Sequence, residues 1–347
     1  MLKKLLLPLI FCLFLTGCGG GRTDLSIPDM SEETQEFSTS IFAMNTVMDL
    51  KIFSESRAPL DQATELITSL ENTLSTTDSG SEIYALNHSG SVSLSENSAF
   101  LMRRALELCK ETDGALDISI YPVVRTWGFT TGSYRVPARE ELDALLEHVD
   151  YTRIQLDEED VVTIPQGMEL DLGSIAKGYT SDMVCDYFRT QGITSALLNL
   201  GGNVQTVGTK PDGSPWRIGI RDPEDLSSSL GVLAISDEAV ITSGGYERFF
   251  EQDGQTYWHI IDPATGAPAH SGLLSATIVG REGARCDALS TSMFIMGPEK
   301  AEAFWREHRD FDMVLVTEDR TVIVTPGLEG RFSLSETSGC TLRMLEP

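Results

Sequence analysis

The chain has 347 residues, which is too long for one small module and too short for three ordinary domains. Hydrophobic residues make up 41% and charged residues 22%, a globular composition that excludes wholesale disorder. Acidic residues outnumber basic ones 52 to 26, for a net charge of -26. A surface this negative repels phosphate backbones, which argues against nucleic-acid binding and favours divalent cations.

The N-terminus predicts export and a lipid anchor. Lys3 and Lys4 precede an apolar run over residues 5–15, about half the roughly 20 residues that a membrane-spanning helix needs. The run ends at Leu15-Thr16-Gly17-Cys18, which matches the bacterial lipobox. We therefore expect a signal peptide at 1–17 and a lipidated Cys18, with the protein on the extracytoplasmic face of the cell membrane. The alternative is an ordinary secretory signal with a chance cysteine.

Behind Cys18 we predict a flexible tether over 18–36, a catalytic domain over 37–335 and a C-terminal tail over 336–347. The remaining cysteines include no Cys-x-x-Cys pair, so the sequence predicts neither a disulfide framework nor a zinc site.

Hydrophobic periodicity predicts mixed elements along the body of the chain. Helices are expected at 60–74, 98–111, 140–148, 173–189, 287–296 and 299–308. Strands are expected at 41–53, 161–164, 169–172, 196–200, 216–220, 230–235, 257–261 and 275–279, with a closing hairpin at 313–316 and 321–324 and a polar loop at 81–87. Without strict alternation of strands and helices, this pattern indicates an α+β fold.

The segment 170–179 reads as a strand, a tight turn and a helix start. The exposed N–H groups at such a helix N-terminus suit a phosphate, and Asp171 and Ser174 offer oxygen atoms. The alternative is that Ser174 is an N-cap and Lys177 a solvated residue of the first turn.

Asp287 and Thr291 are four residues apart in a predicted helix, which places both side chains on one face. Two hard oxygen ligands suffice for Mg²⁺, because this ion takes its other ligands from water and substrate phosphates. The alternative is an N-capping aspartate with a threonine bonded to the helix backbone.

His259 lies where a predicted strand runs into a Pro/Gly turn, and a histidine there can accept a proton near neutral pH. The alternative is a histidine that only makes structural hydrogen bonds. Glycine turns after strands at 199–203 and 242–246 are places where the backbone can approach a ligand closely.

The order of these motifs resembles the ApbE family of FAD:protein FMN transferases, which are often exported lipoproteins. The similarity runs from about Phe37 to Val324 and rests on Met44-Asn45-Thr46, Asp117-Ile118-Ser119, Trp127-Gly128-Phe129 and the segments 171–179, 199–202, 242–246, 259–266 and 287–291. It implies a bilobal fold related to the tunnelling fold, with FAD in the cleft and Mg²⁺ on its pyrophosphate.

The resemblance also implies roles for individual residues. His259 matches the catalytic histidine of the family. The positions that match the FAD site are Met44, Tyr84, Ala115, Leu116, Asp117, Asp171, Lys177, Ile260 and Ile261. The positions that match the metal site are Ser174, Ala176, Asp287 and Thr291.

Two positions depart from the family pattern. The usual Met-Gly-Thr is Met44-Asn45-Thr46 here, and the change affects how the flavin end of FAD is bound. Gly245 stands where an acid or an amide is common.

The activity implied is Mg²⁺-dependent transfer of FMN from FAD to Ser or Thr hydroxyls of exported redox proteins, with release of AMP. Subunits of ion-pumping oxidoreductases are among the acceptors that the family modifies. Two alternatives stay open, an Mg²⁺-dependent FAD pyrophosphatase that uses water as acceptor and a non-enzymatic flavin-binding surface lipoprotein.

Overall fold

The computed structural model describes residues 34–346. The predicted signal peptide, Cys18 and most of the predicted tether lie outside the described residues. Between residues 34 and 346, no helix combines the length and apolar character needed to cross a membrane. The cysteines in this range, Cys109, Cys185, Cys286 and Cys340, are all free thiols.

The elements are mixed, which confirms the predicted α+β class. The helices are α1 Ala58–Leu74, α2 Glu82–Ser89, α3 Glu96–Glu111, α4 Tyr121–Thr126, α5 Arg139–Leu146, α6 Ala176–Thr190, α7 Gly283–Met296 and α8 Pro298–His308. The strands are β1 Gln35–Ala43, β2 Thr46–Ser54, β3 Ser91–Ser93, β4 Gln155–Leu156, β5 Val161–Thr163, β6 Ser195–Leu200, β7 Asn203–Gly208, β8 Trp216–Arg221, β9 Ser229–Ile235, β10 Ala239–Gly244, β11 Phe249–Gln252, β12 Gln255–Trp258, β13 Leu273–Gly280, β14 Asp312–Thr317, β15 Thr321–Val324, β16 Phe332–Leu334 and β17 Thr341–Met344.

A nine-stranded sheet forms the centre, in the order β1-β2-β6-β7-β10-β13-β14-β15-β17. Neighbouring strands are antiparallel except β15 and β17, which are parallel. Smaller sheets have the orders β16-β9-β8, β3-β5-β4 and β11-β12.

Both faces of the middle strands of this central sheet are buried, as β14 shows. Because side chains alternate between faces along a strand, Met313 and Leu315 pack with the helix residues Leu289 and Phe294. Val314, on the opposite face, packs against residues of β8 and β9. The central sheet is therefore a layer between helices and a second, smaller sheet.

A separate hydrophobic cluster builds the second lobe, from the end of α1, α2, α3 and the small sheet β3-β5-β4. Residues at the start of α6 and on α7, including Tyr179 and Ala288, belong to this cluster as well. The two helices thus lie where the lobes meet, which places the start of α6 and the middle of α7 beside the cleft.

The predicted strand at 41–53 is wrong in one respect, because it is interrupted by a turn. β1 and β2 form a hairpin in which Ala43 pairs with Thr46, and the two residues between them have positive φ, 49° at Met44 and 60° at Asn45. Two successive residues with positive φ are typical of a type I′ turn, for which Asn-Gly rather than Met-Asn is the usual signal.

Three further elements differ from the prediction. The polar loop at 81–87 is helix α2, which begins because the Ser81 side chain accepts a hydrogen bond from the N–H of Tyr84. The expected strand at 169–172 makes a single bridge, between Glu169 and Ile120. Residues Gln35 and Glu36 of the predicted tether and Thr341–Met344 of the predicted tail are strand residues in the central sheet.

Candidate active site

A cavity of about 1210 Å³ opens between the lobes. Its volume exceeds the roughly 300–1,000 Å³ of a pocket for a drug-sized ligand, so a larger molecule fits. The predicted site residues that line it are Met44, Ala115, Leu116, Asp117, Asp171, Ser174, Ala176, Lys177, His259, Ile260, Ile261, Asp287 and Thr291. The structure therefore brings together residues that are far apart in sequence.

Tyr84 is the predicted FAD-site residue that does not line this cavity. It lies on α2, where its ring stacks on His88 with centroids 3.8 Å apart. Tyr84 thus contacts a residue of its own helix and lies outside the cavity that Asp287 and His259 line.

Two glycines bring α6 and α7 into close contact. A Cβ atom on Gly178 would lie 2.2 Å from the carbonyl oxygen of Gly283 and 2.7 Å from the Cβ of Asp287. A Cβ on Gly283 would lie 2.6 Å from the carbonyl oxygen of Gly178. Only glycine permits this approach. It places the N–H of Gly178 2.9 Å from Oδ2 of Asp287.

The surroundings of Asp287 suit an ion-binding carboxylate. Burial raises the pKa of Asp287, while Lys177, the N–H of Gly178 and the side chain of Asn203 act in the opposite direction. Oδ1 lies 3.8 Å from Nζ of Lys177. The residue is inside α7 rather than at its start, so the capping alternative does not apply.

Thr291 is one turn further along α7 and lines the same cavity. Its hydroxyl lies 3.3 Å from Oγ of Ser243, near the limit of a hydrogen bond. A carboxylate and a hydroxyl are hard oxygen donors, so the pair fits Mg²⁺. In the described part of the chain, no group of three or more His, Cys, Asp or Glu side chains could hold a metal. The other ligands of an ion here would therefore come from substrate, water or backbone.

The turn before α6 does not cap this helix with a serine side chain. The N-cap is Ile175, and no side-chain capping hydrogen bond is present. Ser174 and Ala176 both face the cavity, but the carbonyl oxygen of Ala176 already accepts a 2.8 Å hydrogen bond from Thr180 Oγ1.

Lys177 occupies the first turn of α6, where the helix dipole disfavours a cation. Since it is partly buried and 3.8 Å from Asp287, it is not the solvated residue of the alternative interpretation.

His259 directly follows β12, and its Nδ1 is buried without a hydrogen-bond partner among residues 34–346. This argues against a purely structural histidine, because a buried structural imidazole is normally hydrogen-bonded. Loss of contact with water lowers the pKa of His259 to about 4, and the charges of Arg248 and Lys177 act in the same direction. The imidazole is therefore neutral at pH 7 and able to accept a proton.

The predicted flavin-site aspartates order the backbone around the cavity. Asp117 accepts hydrogen bonds from the N–H and hydroxyl of Ser119, at 2.8 and 2.6 Å, and from the N–H of Tyr151 at 3.1 Å. Asp171 accepts a 2.9 Å hydrogen bond from the N–H of Gly173 and stiffens the turn that leads into α6. Burial raises the pKa of both carboxyl groups.

The two departures from the family pattern have local explanations. Asn45 occupies a position with a φ of 60°, which asparagine tolerates better than other residues with a Cβ atom, so it can replace the usual glycine. At position 245, a Cβ would lie 2.9 Å from Cε3 of Trp258. The indole ring of Trp258 thus occupies the space that a longer side chain would need.

Sequence reasoning missed several cavity residues, among them Glu71 and Arg248. Glu71 accepts a 2.7 Å hydrogen bond from the N–H of Met44 and so holds the strained turn against α1. The sequence does contain a signal for Arg248. Asp253-Gly254 is a strong hairpin signal, and the strand register that extends from this turn places residue 248 opposite His259.

Comparison with known proteins agrees with this geometry. The sequence model of the ApbE family matches residues 44–315. The chain belongs to the ApbE family. This confirms the family that we predicted from the order of the motifs.

Similar proteins from several bacteria cover most of the chain. A Klebsiella pneumoniae protein named FAD:protein FMN transferase is 34% identical, over 87% of this chain and 95% of its own. One of the same name from Treponema pallidum is 32% identical, over 86% and 89%. These relatives confirm that the chain is a transferase.

Solved structures of family members share the fold. The crystal structure of the Thermotoga maritima ApbE protein is 30% identical with a TM-score of 0.77, covering 87% of this chain and 98% of that one. The Pseudomonas stutzeri flavinyl transferase ApbE is 26% identical with a TM-score of 0.78 and the same coverage. The predicted bilobal ApbE-type fold is therefore confirmed.

Proposed function

We propose that this ApbE-family protein transfers FMN from FAD to a Ser or Thr hydroxyl of exported redox proteins, depends on Mg²⁺ and releases AMP. The names of its relatives support flavin transfer. The observation that carries the chemistry is the shared cavity, in which the unpartnered imidazole of His259 and the oxygen pair of Asp287 and Thr291 line one space.

The roles of the residues follow from their surroundings. The acceptor hydroxyl oxygen forms a bond to the phosphorus on the FMN side, and the bridging P–O bond breaks with its electron pair leaving on AMP. His259 takes the hydroxyl proton, since its imidazole lines the cavity and is neutral at pH 7. Asp287 and Thr291 would hold Mg²⁺. When bound, this ion supplies positive charge that neutralises the pyrophosphate.

The charge of the protein favours such a cation. FAD carries a doubly charged pyrophosphate, whereas the chain has a net charge of -26. Positioning and charge neutralisation dominate phosphoryl-group transfer, so no covalent intermediate on the enzyme is needed.

The acceptors and the cellular location rest on the N-terminal sequence. Leu15-Thr16-Gly17-Cys18 supports a lipid anchor at the outer face of the cell membrane, where exported flavoproteins such as subunits of ion-pumping oxidoreductases are accessible.

One experiment separates the three candidate functions. The purified protein is incubated with FAD and Mg²⁺, with and without an exported flavoprotein, and AMP, free FMN and protein-bound flavin are measured. We expect covalent flavin and AMP in equal amounts only when the acceptor is present. AMP with free FMN alone would indicate a pyrophosphatase, and binding without products would indicate a flavin-binding protein.

A further inference from the structure

A cationic side chain near His259 has no assigned role. Arg248 lines the cavity, and in the described part of the chain its guanidinium group takes part in neither an ion pair nor a hydrogen bond. Arg221, an exposed residue at the end of β8, also lines the cavity without an ion pair among residues 34–346, but the cations whose charges act on His259 are Arg248 and Lys177. A free guanidinium in a substrate cavity is available for an anionic ligand.

The hairpin of β11 and β12 fixes the position of Arg248 relative to His259. Phe249 pairs with Trp258, and one step further the N–H of His259 donates a 3.0 Å hydrogen bond to the carbonyl oxygen of Arg248. Residues directly opposite each other in an antiparallel pair project to the same face. Consistent with this, both side chains line the cavity.

The electrostatic neighbours of Arg248 belong to the same site. Its charge acts on His259, on Asp171 at the turn before α6 and on Glu247. Lys177 is the other cation whose charge reaches His259, but it already lies 3.8 Å from Asp287. Arg248 therefore combines closeness to the base with an uncommitted guanidinium group.

We propose that Arg248 binds the phosphate on the FMN side of FAD, the group that is transferred, through its guanidinium and beside His259. This inference rests on the proposed function. A guanidinium can offer two parallel N–H donors to one phosphate, which fixes its orientation as well as its charge. The phosphate that receives the acceptor oxygen must lie next to the base that takes the proton, and Arg248 is placed there by the hairpin register.

The test compares FMN, which has this phosphate, with riboflavin, which lacks it. Dissociation constants for both ligands are measured with Mg²⁺ present, for the wild-type protein, Arg248→Met, Arg248→Lys and the control Arg217→Met. Arg217 is exposed on β8 and does not line the cavity.

We expect Arg248→Met to weaken FMN binding by about 10- to 100-fold, the usual effect of losing a charge-assisted hydrogen bond, and to leave riboflavin binding unchanged. Arg248→Lys should recover part of the loss, because a lysine keeps the positive charge but cannot offer two parallel N–H donors. Arg217→Met should change neither dissociation constant. Equal weakening of FMN and riboflavin, or no weakening of FMN, would overturn the proposal.

The same variants separate this inference from the proposed function. If wild-type protein transfers no flavin to any acceptor, the proposed function fails. If wild-type protein transfers flavin and Arg248→Met keeps the wild-type ratio of the two dissociation constants, only the inference about Arg248 fails.

Discussion

The N–H of Gly178 donates a 2.9 Å hydrogen bond to Oδ2 of Asp287, which ties the start of α6 to the predicted metal ligand on α7. The bond exists because neither Gly178 nor Gly283 has a Cβ atom. The geometry of the predicted metal site thus depends on a helix contact as well as on its ligands.

We predict that Gly178→Ala displaces Asp287. The added Cβ would lie 2.2 Å from a backbone oxygen, so α6 and α7 must move apart, at a cost of about 1–3 kcal/mol in the free energy of unfolding. The Mg²⁺ concentration for half-maximal transfer should rise. The control is Gly80→Ala, where the nearest atom lies at 3.4 Å. Unchanged stability and Mg²⁺ dependence would show that the close contact is not needed.

Asp287→Asn should separate metal binding from folding. The substitution keeps the size of the side chain but removes a carboxyl group whose pKa is raised by burial, which means that its charged form is destabilised in the folded protein. The melting temperature in EDTA should therefore be unchanged or higher. Transfer should fall by orders of magnitude, and Mg²⁺ should no longer raise the melting temperature. Asp49→Asn, at an exposed position of β2, serves as the control. Normal transfer at limiting Mg²⁺ would place the metal elsewhere.

His259→Gln should slow transfer by roughly 10²–10⁴-fold, the usual range for acid–base catalysis, with little change in FAD affinity. In the wild-type enzyme, the acidic limb of kcat/KM should lie near pH 4, well below the usual 6.5, and the variant should lose it. His88→Gln, at an exposed helix end, is the control. Near-wild-type transfer would remove His259 from the mechanism.

The same histidine predicts a change of stability with pH. Its pKa is about 4 in the folded protein but about 6.5 when unfolded, so between these values only the unfolded chain binds the proton. Stability is therefore lost as the pH falls through this window, by about 2 kcal/mol from this group between pH 8 and pH 5. Urea unfolding at both pH values should show a smaller loss for His259→Gln, and equal losses would contradict the lowered pKa.

Asn45 should reveal the strain of the hairpin turn. Because φ is 60° at this residue, Asn45→Ala should cost about 1–2 kcal/mol in the free energy of unfolding, whereas Asn45→Gly should cost nothing or stabilise. Chemical denaturation of both variants measures the difference. An alanine variant as stable as the glycine variant would be inconsistent with this turn geometry.

Cys18→Ser should block lipid attachment and leave unprocessed precursor, because the lipobox cysteine is the acceptor of the lipid. Processing is followed by gel mobility with and without globomycin, which inhibits the lipoprotein signal peptidase. Processing of the variant that remains sensitive to globomycin would exclude Cys18 as the modified residue.

Much of the fold was predictable where the pattern is strong and local. The apolar spacing of 60–74 predicts a helix, and α1 spans Ala58–Leu74. The Met44-Asn45 turn was missed because neither residue signals positive φ by itself. Helix α2 was missed because its eight residues have weak amphipathic character and its start depends on the Ser81 cap.

The candidate site was predictable mainly as a set of motifs. The resemblance to the ApbE family assigned the site residues. It did not predict the close contact between Gly178 and Gly283 or the hydrogen bond from Met44 to Glu71, which join segments distant in sequence. Such contacts depend on tertiary packing, which single-sequence periodicity does not contain.

The most direct test of flavin transfer is mass spectrometry of exported proteins from cells with and without this gene. We predict peptides with FMN esterified to Ser or Thr in the parent strain, their absence in the deletion strain, and their return with the wild-type gene but not with Asp287→Asn. Unchanged covalent FMN in a deletion strain without a second family member would contradict flavin transfer by this protein.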